Sequence, residues 1–239
     1  MIRVGVGGWT FEPWRGVFYP PKLPHAQELH FASRALTTIE VNGTFYGSQK
    51  PATFAKWAAE TPDDFVFSLK APRFAVNRKV LAEAGESIER FAASGIDALG
   101  SKLGPILWQF AGTKKFDADD FGAFLKLLPK HLRHAVEPRN ASFQTPAFVD
   151  MATAAGVAAV FADSDDYPNC GETQTGPFTY ARLQRSTDIA TGYDAAALDD
   201  WAKQAKAWAA PARDVFMFFI SGEKVRNPAA ATALIDRLG

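Results

Sequence analysis

Ile2-Arg3-Val4-Gly5-Val6-Gly7-Gly8-Trp9-Thr10 is the stretch on which the fold turns. It is a short β-branched run ending in glycines, an opening shared by dinucleotide-binding sheets and by (β/α)8 barrels. A dinucleotide site needs G-x-G-x-x-G leading into a helix, because the third glycine lets helix and strand pack closely while the helix N-terminus takes the pyrophosphate. Here Gly5 and Gly7 supply half of that pattern, Thr10 stands where the third glycine belongs, and Phe11 and Pro13 follow in place of a helix start. The run therefore predicts a barrel strand.

The rest of the chain repeats that strand seven times. Thr37 to Asn42, Phe65 to Lys70, Pro105 to Phe110, Ala135 to Glu137, Val157 to Ala162, Thr179 to Leu183 and Val215 to Ile220 are short β-branched or aromatic runs. Amphipathic segments with helix-start signals lie between them: Ser48 before Pro51, Asp117, Thr145-Pro146, Asp194 and Asn227-Pro228. In these segments apolar residues recur at i, i+3, i+4 and i+7, as in Leu198, Trp201, Ala202, Ala205 and Trp208, the pattern of a helix face packed on a sheet. Eight strands alternating with helices in 239 residues predict a single α/β domain over 1–239, a (β/α)8 TIM-type barrel.

Composition narrows the function classes. Twenty-six Lys and Arg balance 26 Asp and Glu, which excludes a polycation built to coat nucleic acid or an anionic membrane but leaves a local basic groove open. Cys170 is the single cysteine, so an intramolecular disulfide is excluded and a thiolate zinc site is not expected. The longest uncharged apolar stretch, Met151 to Ala162, is interrupted by Gly156 and falls short of the roughly 18 residues a membrane span requires. With no signal-peptide pattern at the N-terminus, the expectation is a cytoplasmic protein without a membrane partner.

In a barrel, chemistry resides at the carboxyl ends of the strands. Read in order, those ends carry Trp9, Glu40 and Asn42 with Tyr46, Lys70 and Arg73, Trp108-Gln109, Glu137 and Arg139, Asp163, and Arg182. Seven charges (Glu40, Lys70, Arg73, Glu137, Arg139, Asp163, Arg182) at one mouth imply mutual pairing, a polar ligand, or both, because unpaired charges are costly to bury. Pairing alone would make the cluster a brace for the barrel top.

The residues Gly8-Trp9, Trp14-Arg15-Gly16 with Phe18-Tyr19-Pro20, Glu40-Val41-Asn42 with Thr44-Phe45-Tyr46, Phe67 to Arg73, Gln109-Phe110, Val136-Glu137 with Arg139, and Tyr180 with Arg182-Leu183 together resemble the YecE-like family, a widespread domain of unknown function. The similarity spans essentially the whole chain. It implies a TIM-type barrel and supplies no reaction. The chain departs from the family pattern in three places: Phe74-Ala75-Val76-Asn77 lacks the family's His, Gln184-Arg185 replaces His-Gly, and Ile220-Ser221 replaces an Asn pair.

Three chemistries remain. Metal-assisted hydrolysis lacks His ligands, since His25 and His30 fall in the first helical segment and His131 and His134 precede the fifth strand; an Mg²⁺ or Mn²⁺ site would have to use Glu40, Glu137 and Asp163. Metal-free hydrolysis or isomerisation would use the same carboxylates as acid and base, or Lys70 as a Schiff-base amine. A binding module would use Lys70, Arg73, Arg139 and Arg182 as clamps on a small phosphate-bearing anion, aided by Asn42 and Gln109, with Trp9, Trp14, Tyr46 and Trp108 as stacking faces. Nucleic acid is the alternative ligand, and no motif names a cofactor.

Overall fold

The computed structural model describes residues 1–210 and 212–239. Among the described residues nine parallel strands form one sheet: β1 (Ile2–Gly7), β2 (Thr38–Val41), β3 (Val66–Lys70), β4 (Leu103–Gln109), β5 (His134–Glu137), β6 (Ala158–Ala159), β7 (Phe161–Asp163), β8 (Phe178–Leu183) and β9 (Asp214–Phe219). Their order is β6-β5-β4-β3-β2-β1-β9-β8-β7. Since β6 and β7 are consecutive and separated only by Val160, the ring comes round on itself through one interrupted strand. The eight runs expected from the sequence are thus present, with the sixth divided.

The division has a local cause. Ala158–Ala159 pairs with β5, whereas Phe161–Asp163 pairs with β8, so the strand changes partner at Val160. The loop that follows supplies the groups the ladder lacks. Thr175 Oγ1 accepts from Ala159 N at 2.8 Å and donates to Val157 O at 2.6 Å, and Asn169 Oδ1 accepts from Ala162 N at 3.2 Å. Backbone groups at a buried break must be satisfied, and here two side chains do so. Gly171 crosses directly over the break, where a Cβ would lie 2.3 Å from Val160 C and O.

Helices α1 (Glu28–Ala35), α2 (Gly43–Tyr46), α3 (Pro51–Glu60), α4 (Arg73–Val76), α5 (Gly85–Ala92), α6 (Ala118–Leu127), α7 (Pro146–Ala154), α8 (Ala195–Ala209) and α9 (Asn227–Leu238) connect the strands. Asp117, Thr145 and Asp194 cap α6, α7 and α8 by accepting from the third residue on, as their sequence positions predict. Gly156 ends α7 at φ +65°, with Val157 N donating back to Ala152 O at 2.9 Å. Ser48 does not cap α3, whose preceding residue is Lys50. Asn227 lies inside α9, its side chain accepting instead from Ser221 Oγ at 2.5 Å and Ser186 Oγ at 3.2 Å. Among the described residues no helix is long and apolar enough to cross a membrane.

Two apolar layers result. Val66, Leu107, Ala135, Phe178, Tyr180, Phe216 and Phe218 fill the barrel interior, while the opposite strand faces meet the helices. A packed interior closes the lower barrel and leaves polar residues to the upper end of each inward-facing row.

Candidate functional site

Side chains in a strand alternate between faces, so the last inward residue of each strand sits one step above the apolar filling. In β2 that residue is Glu40, in β3 Lys70, in β4 Gln109, in β5 Glu137 and in β8 Arg182. The lowest polar step is neutral: Ser68 Oγ donates to Pro105 O at 2.9 Å and lies 2.8 Å from Tyr180 Oη, which donates to Glu40 Oε2 at 2.8 Å. Burial and the neighbouring Glu40 push the Tyr180 phenol well above its ordinary value, so it stays a proton donor.

Arg182 sits above Tyr180, 2 % exposed, between two carboxylates. Its Nη1 donates to Glu137 Oε1 and Oε2 at 2.8 and 2.7 Å, while Nε and Nη2 donate to Glu40 Oε2 and Oε1 at 3.1 and 3.2 Å. Gln109 Nε2 also donates to Glu137 Oε2. Burial pushes the Glu137 carboxyl up, but the charges of Arg182 and Arg139 and the hydrogen bonds from Arg182 and Gln109 outweigh it, and its pKa is lowered. For Arg182, desolvation opposes the charge and the two carboxylates prevail, so its pKa is raised. Both glutamates are fully engaged beneath the guanidinium.

Above this layer opens a cavity of about 790 Å³. Its ionic lining consists of Lys70, Arg139, Arg182 and Lys224; among the described residues no carboxylate lines it. Lys70 Nζ lies 4.4 Å from the centroid of the Phe45 ring and has no ion-pair or hydrogen-bond partner among the described residues. Burial lowers its pKa to about 8; the charges of Glu40 and Glu137, which act the other way, and of Arg182 and Arg139, which add to the lowering, are smaller influences. The Arg139 guanidinium stacks 3.9 Å from the centroid of Tyr167, and its buried Nε has no hydrogen-bond partner, with Glu137 Oε2 at 3.8 Å. Trp9, Asn42 and Tyr46 complete the wall, Tyr46 being 71 % exposed.

The structure therefore brings Trp9, Asn42, Tyr46, Lys70, Gln109, Arg139 and Arg182 to one cavity and sets Glu40 and Glu137 under its floor. Two expected members lie elsewhere. Arg73 opens α4 beyond the end of β3 at Lys70, after Ala71-Pro72, and is exposed to solvent. Asp163 shares the outward face of β7 with Phe161, which packs on Trp201 and Trp208 of α8; it is bound by Tyr193 Oη at 3.2 Å and Arg185 Nη1 at 3.1 Å. The seven charges thus do not all converge, and the Glu40, Glu137 and Asp163 oxygens do not form a ligand set; among the described residues no three His, Cys, Asp or Glu do. Trp108 is also turned outward, 1 % exposed, donating from Nε1 to His134 Nδ1 at 3.0 Å.

The cavity also contains residues that strand-end reading omits. Lys224 is carried there because Trp14, in the short turn Glu12–Trp14 after β1, donates from Nε1 to Lys224 O at 2.7 Å. Arg15 steadies that turn through Glu28 at 2.6 Å. Tyr167 arrives from the loop after β7, and Asn77, at the end of α4, occupies the region where the resemblance leads one to expect a His.

Comparison with known proteins agrees with this architecture. A protein named UPF0759 protein YunF, from Bacillus subtilis (strain 168), is 27 % identical over 197 residues, covering 79 % of this chain and 67 % of its own. The crystal structure of a DUF72 family protein from Thermotoga maritima superposes with TM-score 0.79 at 22 % identity, covering 98 % of this chain and 97 % of that one. A DUF72 family protein from Enterococcus faecalis gives TM-score 0.76 at 18 % identity, with 100 % and 95 % covered. At these identities the solved structures speak to the fold. The profile described as "Protein of unknown function DUF72" matches residues 3–239, and the chain belongs to that family.

Proposed function

We propose that the protein binds a small anionic, phosphate- or carboxylate-bearing molecule at the carboxyl-end mouth of the barrel. One observation carries this reading: the cavity is lined by Lys70, Arg139, Arg182 and Lys224 with no carboxylate among the described residues, because the two glutamates nearby are engaged beneath Arg182. Three cations against two carboxylates, with Lys224 as a fourth cation at the rim, leave the mouth positive. Arg139 supports an anion further. A guanidinium presents five donors in a fixed fork, and Arg139 makes no hydrogen bond among the described residues; Tyr167 holds its plane instead. Trp9 and Tyr46 offer flat faces for a sugar or ring.

On this reading Glu40 and Glu137 orient Arg182 and do not act as acid and base, and any hydrolysis or isomerisation draws on the cavity-facing groups. A second basic hollow shares Asn77 and Ala111 with the mouth and carries Arg78, Lys79, Lys114 and Lys115, which favours a longer polyanion such as a nucleic-acid strand. Arg78 is engaged by Phe74 O, Glu83 O and Ser87, and Lys114 by Asp120, so the small anion is preferred.

Thermal shift with inorganic phosphate, sugar phosphates, nucleotides and short oligonucleotides tests the reading, with the uncharged sugars and nucleosides as controls. A ligand at about 100 times its Kd stabilises by about 2.7 kcal/mol. Stabilisation by the anions alone, abolished in Arg139→Ala when each protein's shift is measured from its own ligand-free Tm, is expected. No anion response in wild type overturns it, and a response confined to oligonucleotides transfers it to nucleic acid.

A further inference from the structure

Lys70 is an unusual feature of the mouth. A lysine 9 % exposed would ordinarily be anchored by a carboxylate, as buried charges need a partner. The two carboxylates in its neighbourhood, Glu40 and Glu137, are held by Arg182 through contacts of 2.7–3.2 Å. The amine instead lies against the Phe45 ring and faces the cavity. Lys102 shows the contrast. It is equally buried, at 9 %, but its Nζ donates to Ala58 O at 2.6 Å, Thr61 O at 2.7 Å and Thr61 Oγ1 at 3.3 Å, which is a structural lysine with its donors filled.

We propose that Lys70 is a nucleophile whose ε-amine condenses with the carbonyl group of an anionic aldehyde or ketone, the open-chain form of a sugar phosphate being the chemical class. The proposal rests on the anion-binding reading, since Arg139 and Lys224 hold the charged end while Lys70 meets the carbonyl carbon. In the step, the amine lone pair attacks that carbon, a C–N bond forms, and the carbonyl electron pair passes to oxygen, which takes a proton from solvent. Nitrogen loses a proton to solvent. The hydroxyl then takes a second proton and leaves as water while the nitrogen lone pair closes C=N, so amine plus carbonyl plus one proton drawn from solvent gives iminium plus water with no net oxidation. A lysine desolvated beside other cations is the environment that lowers an amine's pKa towards physiological pH and so raises the fraction present as the neutral nucleophile. Glu40, Arg182, Glu137 and Arg139 are the ionic groups that bear on it.

The test traps the iminium. The whole protein is incubated with dihydroxyacetone phosphate and sodium borohydride, which delivers hydride to C=N, and the modified lysines are mapped by peptide mass spectrometry. The expected result is a dominant adduct on Lys70, suppressed by excess inorganic phosphate, weak with unphosphorylated dihydroxyacetone, and half-maximal near pH 8 rather than near the ordinary lysine value of 10.5. Mapping the wild-type chain does not depend on a variant that folds; Lys70→Gln, checked by Tm, should lose the adduct. Adducts scattered over exposed lysines such as Lys22 and Lys50 with Lys70 unmodified overturn the nucleophile. If phosphate still raises Tm in that case, the anion site stands without it; if phosphate has no effect, both readings fall.

Discussion

Arg182 Nη1 donates to both carboxylate oxygens of Glu137, at 2.8 and 2.7 Å, inside a layer where the arginine is 2 % and the glutamate 1 % exposed. Removing one partner of such a pair leaves an uncompensated buried charge, which costs more than the pair itself contributes. Arg182→Met strands Glu137 and Glu40 together, so we expect a loss of about 3–5 kcal/mol in urea unfolding. Double replacement with Glu137→Gln should recover part of that loss. Equal stability of Arg182→Met and wild type would show that the ion-pair layer does not brace the barrel.

The same layer sets an acid limb. Glu137 has its pKa lowered from the ordinary 4.5, so the folded chain binds fewer protons there than the unfolded chain. Its contribution is present above about pH 4.5 and is lost as pH falls through the lower, folded value. Unfolding midpoints measured from about pH 6 down to about pH 3 should therefore fall less steeply in Glu137→Gln than in wild type. Parallel curves would contradict the assignment.

Gly171 tests the interrupted strand. A methyl group there meets Val160 C and O at 2.3 Å and Phe161 N at 2.4 Å, all backbone atoms with no rotamer in which to retreat. Gly171→Ala should cost about 1–3 kcal/mol, by the logic of overpacking, and lower Tm accordingly. Gly222→Ala, which has open space around the added carbon, is the matched control and should be near neutral. An unchanged Tm in Gly171→Ala would mean that the loop over the break is not packed as described.

What the sequence discloses about this site follows from strand ends. Glu40, Lys70, Gln109, Glu137 and Arg182 are polar residues at the carboxyl ends of largely apolar strand runs, which marks them as mouth residues without any knowledge of contacts. Telling which face a residue takes needs a two-residue alternation. Asp163 escapes that logic, because Val157-Ala158-Ala159-Val160-Phe161-Ala162 is apolar on both faces and offers no alternation to tell inward from outward. Trp108 has the same difficulty between Leu107 and Gln109. Lys224 is invisible for another reason: it reaches the mouth through a hydrogen bond from Trp14, 210 residues away. Tyr167 likewise acquires meaning only once it is found under Arg139.

Lys70 allows a prediction in which binding and stability pull in opposite directions. Its pKa, lowered from 10.5 to about 8, means that folding disfavours the charged amine, and the shift corresponds to about 3 kcal/mol against the protonated folded state at neutral pH. Sign follows from proton counts: between about pH 8 and about pH 10.5 the unfolded chain binds more protons at this lysine, so wild-type stability from this group rises with pH across that window. Lys70→Met keeps a flexible chain against Phe45 and removes the charge. The variant should be more stable than wild type by about 1–3 kcal/mol near pH 7, with the gap closing above about pH 10. Phosphate-induced stabilisation should weaken in the same variant, because one of the cations facing the cavity is gone. A Lys70→Met protein less stable than wild type at pH 7 would show that the ammonium is compensated after all. A residue that costs the fold stability is retained most readily where it meets a ligand, so a gain in stability coupled to a loss of phosphate response would tie Lys70 to the site by two independent readouts.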